Sequence, residues 1–117
     1  MKYVDGFVLA VPTANREIYQ KFALDVAELF REMGALKVVE CWGSEVPEGK
    51  VTSFPMAVKC QPEETVVFSW IEWPSKSVRD QAMPRILQDP RFDMSKNPIP
   101  FDGKRMIFGS FEMFVEV

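Results

Sequence analysis

The most regular hydrophobic pattern in the chain lies between residues 14 and 33, where apolar side chains recur at helical spacing. They form one continuous stripe made of Ile18, Tyr19, Phe22, Ala23, Val26, Ala27, Leu29, Phe30 and Met33. Such a stripe predicts an amphipathic helix with one buried face. Thr13 or Asn15 is placed to cap its N-terminus, and Gly34 is placed to end it.

Four other segments are rich in Val, Ile, Phe and Trp, which predicts β-strands. They cover residues 2–11, 35–43, 65–73 and 104–117. Residues 51–60 are ambiguous because Pro55 disfavours a central strand, so an edge strand or a short helical turn fits better.

A second helical region follows the third strand and contains Pro84. A proline inside a helix loses a hydrogen bond and clashes with the preceding turn. We therefore predict two short helices: one near residues 76–82, capped by Ser75 or Ser77, and another that opens with Pro84.

The predicted order is β-α-β-β-α-β, and 117 residues leave room for a single domain, residues 1–117. This order predicts an α+β, ferredoxin-like fold with a four-stranded antiparallel sheet and both helices on one face.

The strands, however, are largely apolar on both faces. A sheet open to water on one side should alternate with polar residues. We therefore predict a homodimer in which the second face meets the sheet of another copy. Alternatively, residues 44–64 fold over that face.

The composition excludes or disfavours several classes of function. The net charge of −3 argues against binding along a nucleic-acid backbone. The chain contains no histidine, which excludes Ser-His-Asp and Cys-His catalysis and His-ligated metals or haem. Cys41 and Cys60 have no metal-ligand spacing. With no leader and no apolar run long enough to span a bilayer, a cytoplasmic protein without a membrane partner is expected.

Three acidic residues fall in strand segments that are otherwise mostly apolar: Asp5, Glu40 and Glu112. A carboxylate in such surroundings is costly unless it is paired, and burial raises its pKa. They are therefore candidate general acids or bases. A structural interpretation stays open, in which they form ion pairs with Arg79, Lys104 or Arg105. Without histidine, these carboxylates suit only hard cations, and we predict no metal or cofactor.

Aromatic and basic residues supply further candidates. Three tryptophans can line a pocket for a flat apolar ligand or anchor the core or an interface: Trp42, Trp70 and Trp73. Four basic residues can receive an anionic group or only solvate the surface: Lys76, Arg79, Lys104 and Arg105. Residues 105–111 resemble an RNA-stacking strand, but they lie in the wrong strand for it.

Four blocks, in order over the whole chain, carry a family resemblance. They are YVDGF at residues 3–7, VVECWG at 38–43 with PxGKVT at 47–52, VVFSWIxWPSK at 66–76 with Arg79 and Asp80, and PFDGKRMIFGxFE at 100–112. The chain resembles an uncharacterised bacterial family of the dimeric α/β-barrel superfamily. The resemblance implies a ferredoxin-like subunit that pairs through its sheet. The family has no established function and supplies no catalytic residues.

The function is therefore unknown from the sequence, and two hypotheses stay open. In the first, a dimeric barrel binds a small apolar or aromatic molecule and transforms it without a cofactor. In the second, the dimer is a non-catalytic interaction or regulatory module. RNA binding is less favoured.

Overall fold

The computed structural model describes residues 1–117, and its main elements follow the predicted order. They are β1 (Tyr3–Pro12), α1 (Arg16–Glu32), β2 (Lys37–Trp42), α2 (Phe54–Ala57), β3 (Glu64–Trp73), α3 (Lys76–Gln88) and β4 (Ile107–Glu112). The sheet has the order β2-β3-β1-β4, and every neighbouring pair is antiparallel. This is the α+β, ferredoxin-like topology that the sequence predicts.

The two ends of α1 differ in how they satisfy their backbone groups. At the C-terminus, Gly34 has a φ of 117°, and the Ala35 amide donates to the Phe30 carbonyl at 3.0 Å, as in a Schellman cap. At the N-terminus, no side chain caps the helix, and a 3-10 turn precedes it. The prediction of a Thr13 or Asn15 cap is wrong, because the Thr13 hydroxyl is bonded to that of Thr65 instead.

The second long helix, α3, is continuous, so the predicted break at Pro84 is wrong. Ser75 caps it by accepting a hydrogen bond from the Val78 amide at 3.2 Å. Ala82 and Ile86, on either side of the proline, are both buried in the core cluster. Because packing holds the turns before and after Pro84, the segment stays helical despite the missing hydrogen bond.

The ambiguous segment 51–60 forms the short helix α2, as the helical alternative predicts. The Ser53 hydroxyl caps it by accepting a hydrogen bond from the Met56 amide. Just after it, Val58 is fully buried against Val8, Ala10 and Val66. The segment therefore covers one end of the sheet face opposite α1 and α3, and the alternative of a folded-over loop is correct for that end.

The last strand is shorter than predicted. Residues 103–105 form a 3-10 turn whose first amides are capped by Asp102, so they cannot pair in the sheet. At the other end, Glu112 lies opposite Tyr3, the first residue of β1. Beyond Glu112 one more backbone hydrogen bond forms, from the Met113 amide to the Lys2 carbonyl at 3.1 Å, and the pairing ends there because β1 begins at Tyr3.

Helices α1 and α3 pack on one face of the sheet, with Leu29, Phe30, Ile71, Trp73 and Ile86 in the larger core cluster. Away from the α2 end, the opposite face is open and carries Phe68, Trp70, Ile107 and Phe111. We call these four residues the open face. Phe68, Ile107 and Phe111 are 43%, 44% and 58% exposed. None of the helices is long and apolar enough to cross a membrane.

Candidate functional site

A cavity of about 240 Å³ lies between α1, the sheet and residues 90–106. Its lining is almost entirely apolar. The sheet contributes Phe7 and Ile71, α1 contributes Phe22, and the segment after α3 contributes Phe92 and Phe101. The ring of Phe101 packs against those of Tyr19 and Phe22, with centroids 5.9 and 6.1 Å apart. Residues 90–106 thus form a wall of the cavity.

Three polar side chains line this cavity: Tyr19, Glu40 and Ser69. Glu40 on β2 and Ser69 on β3 are register partners in the antiparallel pair, so their side chains leave the same sheet face side by side. The Tyr19 hydroxyl donates to Glu40 Oε1 at 2.6 Å. We call these three residues the polar corner.

Glu40 is exposed on the edge strand β2, but the packing of α1 against its carboxyl group reduces the solvation of this corner. Loss of solvation raises the pKa of Glu40, and the hydrogen bond from Tyr19 acts against that rise. Loss of solvation also raises the pKa of Tyr19, and the charge and hydrogen bond of Glu40 raise it further. Tyr19 therefore keeps its proton as a donor to Glu40 over the physiological pH range.

A groove of about 550 Å³ lies on the other side of the Tyr19–Glu40 pair, between α1 and the edge strand β2. Trp42 lines it, and the Arg16 guanidinium lies over the Trp42 ring, 5.3 Å from its centroid. Tyr19 and Glu40 border both spaces. The pair therefore lies between this groove and the apolar cavity.

Asp5 occupies a second, separate network beneath α3. It is 5% exposed and accepts hydrogen bonds from Trp73 Nε1 at 2.9 Å, Arg79 Nε at 3.2 Å and the Ser110 hydroxyl. Burial works to lower the pKa of Arg79, but its hydrogen bonds to Asp5 and then Asp80 outweigh this and raise it. Three strands and α3 are thus joined at one carboxylate, which is the geometry of a structural ion pair.

The other acidic and aromatic candidates lie apart. Glu112 is exposed at the end of β4. Trp73 is fully buried in the core. Trp70 lies on the open face, and its indole donates to Glu72 at 3.0 Å. The structure therefore brings Glu40 and Trp42 to neighbouring spaces but does not bring the three carboxylates or the three tryptophans together. No group of three His, Cys, Asp or Glu side chains is placed to hold a metal ion.

Most of the basic candidates form ion pairs within the chain. Lys76 pairs with Asp80. Arg105 makes two 2.7 Å hydrogen bonds to Glu64 and another to Asp102. Lys104 is exposed.

Two members of the polar corner, Tyr19 and Ser69, were not identified from the sequence. Tyr19 was counted as part of the apolar stripe of α1. Its hydroxyl was the available signal, because a buried tyrosine usually needs a hydrogen-bond partner. Ser69 gave no signal of its own, since alternation alone does not reveal that its face borders a cavity.

Comparison with known proteins agrees with this architecture. The profile of the family described as "Protein of unknown function (DUF1428)" matches residues 2–103. Relatives from Escherichia coli K12 and Shigella flexneri, both named uncharacterized protein YbaA, are 56% identical over 116 residues, which is 99% of each chain. The crystal structure of a dimeric ferredoxin-like protein from an uncultured marine organism superposes with a TM-score of 0.61 at 12% identity, covering 99% of this chain and 98% of that one.

Proposed function

This chain belongs to the DUF1428 family of proteins of unknown function, and we propose that it binds a small, largely apolar molecule in the cavity between α1 and the sheet. One observation carries the proposal. The cavity is apolar except at one corner, where Ser69 lies beside Glu40 and Glu40 accepts the hydrogen bond from Tyr19. Ligand sites commonly combine apolar walls with a few polar groups that orient the ligand.

The dimensions and lining of the cavity define the ligand class. A volume of about 240 Å³ lies just below the range of pockets for drug-sized ligands, so a one- or two-ring molecule suits it. Aromatic walls from Phe7, Phe22 and Phe101 favour a flat ring system through edge and face contacts. Glu40 also supplies a carboxylate that can accept a proton, so the same site has the means for cofactor-independent acid–base chemistry.

The binding proposal can be tested with 2-naphthol as the probe. We expect it to perturb the backbone amide signals of residues that line the cavity in a saturable NMR titration. It should also raise the thermal midpoint by mass action. Val26→Phe on α1, which adds a ring at the cavity wall, should abolish both effects. Leu87→Phe on the exposed side of α3 is the matched control and should change neither.

Circular dichroism would verify that both variants are folded. The proposal fails if the unmodified protein shows no saturable response to 2-naphthol, or if a folded Val26→Phe variant binds as well as the unmodified protein.

We propose further that the protein is a homodimer that pairs through the open face. Phe68, Ile107 and Phe111 expose a contiguous apolar surface, a feature that on soluble proteins marks interaction sites. The rings of Phe54, Phe68 and Trp70 follow one another along this face in tilted contacts, with successive centroids 5.8 and 5.6 Å apart. The structural relative is described as dimeric, which supports a second copy as the occupant.

Light scattering at micromolar concentration tests the dimer directly. The expected mass is twice the 13.5 kDa of one chain. A species of 13.5 kDa that persists across the micromolar range would contradict the proposal.

We also propose a cytoplasmic location. Cys41 and Cys60 are both free thiols, and Cys41 is exposed. Such thiols persist in a reducing compartment.

A further inference from the structure

The polar corner constrains the chemistry of the ligand as well as its orientation. We infer that the cavity selects a neutral aromatic molecule whose polar group is a hydrogen-bond donor, such as a phenol, an arylamine or an N–H heteroaromatic, and that it rejects carboxylates. This inference rests on the proposed binding function and specifies the ligand class of the same site.

The first argument is a count of donors and acceptors. The only proton on the Tyr19 hydroxyl is donated to Glu40 Oε1. Glu40 Oε2 has no hydrogen-bond partner within the chain, and the Ser69 hydroxyl has none either. An ionised carboxylate can only accept, whereas a serine hydroxyl can donate one hydrogen bond and accept others. The free capacity of the corner is therefore weighted toward acceptors, and a ligand donor satisfies it best.

The second argument is charge. Glu40 is the only charged residue that lines the cavity, and no lysine or arginine lines it. A cation on the first turn of α1, Arg16, lines the groove on the far side of the Tyr19–Glu40 pair and lies over Trp42. A ligand carboxylate would thus meet a like charge without a compensating cation in the lining of the cavity.

The third argument is the order of the side chains across the floor of the cavity. In the sheet, Glu40 lies opposite Ser69, and Ser69 lies opposite Phe7 on the next strand. This row of side chains across the floor of the cavity therefore runs from two polar residues to an aromatic one. A flat ring over Phe7, walled by Phe22 and Phe101, would direct a substituent on its edge toward Glu40 and Ser69.

Four probes that share one ring system separate these requirements: naphthalene, 2-methoxynaphthalene, 2-naphthol and 2-naphthoate. Dissociation constants from NMR titration at pH 7.5 should be lowest for 2-naphthol. We expect about tenfold tighter binding than for 2-methoxynaphthalene, which accepts but does not donate, because hydrogen bonds to charged groups are worth at least a factor of ten. The anionic 2-naphthoate should bind at least tenfold more weakly than naphthalene.

Replacing the charge tests its role. Glu40→Gln keeps the size and one acceptor oxygen but removes the negative charge, so the penalty against 2-naphthoate should shrink to less than threefold relative to naphthalene. The preference for 2-naphthol should shrink as well. Glu28→Gln, on the exposed side of α1 and outside the cavity lining, is the control and should leave all four constants unchanged. Ser69→Ala, which removes the second acceptor, should weaken 2-naphthol more than the other three probes.

The outcomes separate this inference from the proposed function. If naphthalene and its derivatives bind with equal affinity, or if 2-naphthoate binds as tightly as 2-naphthol, the donor requirement is overturned while the binding function stands. If none of the four probes binds, both are overturned. A Glu40→Gln variant that is folded and still rejects 2-naphthoate would refute the role assigned to the charge.

Discussion

The hydroxyl of Tyr19 donates a 2.6 Å hydrogen bond to Oε1 of Glu40, which ties the first turns of α1 to the middle of β2. The strand β2 lies at an edge of the sheet and pairs only with β3. A contact from the helix layer therefore helps to hold this edge strand in place. The same contact lies between the cavity and the groove, so one hydrogen bond contributes both to stability and to the shape of the site.

Removal of the Tyr19 hydroxyl tests this contact. Tyr19→Phe should lower the free energy of unfolding by about 1–2 kcal/mol, because a neutral donor to a carboxylate is lost. It should also raise the pKa of Glu40 further, since the hydrogen bond from Tyr19 lowers that pKa. Urea unfolding and NMR titration of the Glu40 carboxyl carbon would measure the two effects. Tyr3→Phe, at a half-buried tyrosine without a side-chain hydrogen bond, should change neither quantity.

The buried carboxylate of Asp5 should matter for folding. Asp5→Asn places an amide where Trp73, Arg79 and Ser110 all donate, and it leaves Arg79 without its buried counter-ion. We expect a loss of about 3 kcal/mol, measured by urea unfolding. A double-mutant cycle with Arg79→Met should give a coupling energy well above zero. Asp25→Asn, which breaks only an exposed pair with Lys21, should cost less than about 0.5 kcal/mol.

The Glu64–Arg105 pair should make stability depend on pH. Hydrogen bonds from Arg105 hold the pKa of Glu64 below its ordinary value. Because the folded pKa is lowered, the pair stabilises the protein above the unfolded pKa of about 4.3, and this contribution is lost as the pH falls through the folded value.

Glu64→Gln should therefore cost about 2 kcal/mol near pH 7, and its deficit should vanish as the pH falls through the lowered folded pKa of Glu64. Urea unfolding between pH 2.5 and 7 would measure it. Glu63→Gln, at an exposed neighbour without an ion pair, is the matched control. A deficit that stays constant with pH would contradict the assignment of this pair.

The open face should control assembly. Phe111→Glu places a charge on that face and should convert the dimer to a folded 13.5 kDa monomer. Phe108→Glu is a close control, because Phe108 is 73% exposed on the same strand but points to the opposite face. It should leave the mass at the dimer value. Sedimentation velocity would distinguish the two, and a dimeric Phe111→Glu protein would exclude this face as the interface.

The proline inside α3 should be a site where stability can be gained. Pro84→Ala restores an amide that can hydrogen-bond to the carbonyl one turn back, and it removes the clash of the proline ring. An interior proline destabilises a helix by about 3 kcal/mol relative to alanine. The greater freedom of the unfolded chain offsets about 0.4–1 kcal/mol of this. We expect a net gain of about 2 kcal/mol in urea unfolding. Pro90→Ala, in the first turn of a 3-10 helix, should give no such gain.

Much of the fold was predictable from local patterns. Apolar side chains recur at the helical period in α1, and β1, β2 and β3 are rich in apolar residues. Such patterns depend only on residues close together in the chain. The helix α3 and the strand β4 were less predictable, because burial on both sides of Pro84 and the length of β1 decide their extents. Among the site residues, Glu40 was identifiable as a carboxylate in an apolar strand.

The sequence by itself determined the order of elements, the α+β class and the excess of apolar surface on the sheet. These features follow from side-chain chemistry at fixed spacings. Only the tertiary structure decided that Asp5 and Glu40 belong to different networks, because α3 brings Arg79 to one and α1 brings Tyr19 to the other. Strand pairing likewise set Ser69 beside Glu40. Contacts between residues far apart in the chain depend on register and packing, and no local pattern contains them.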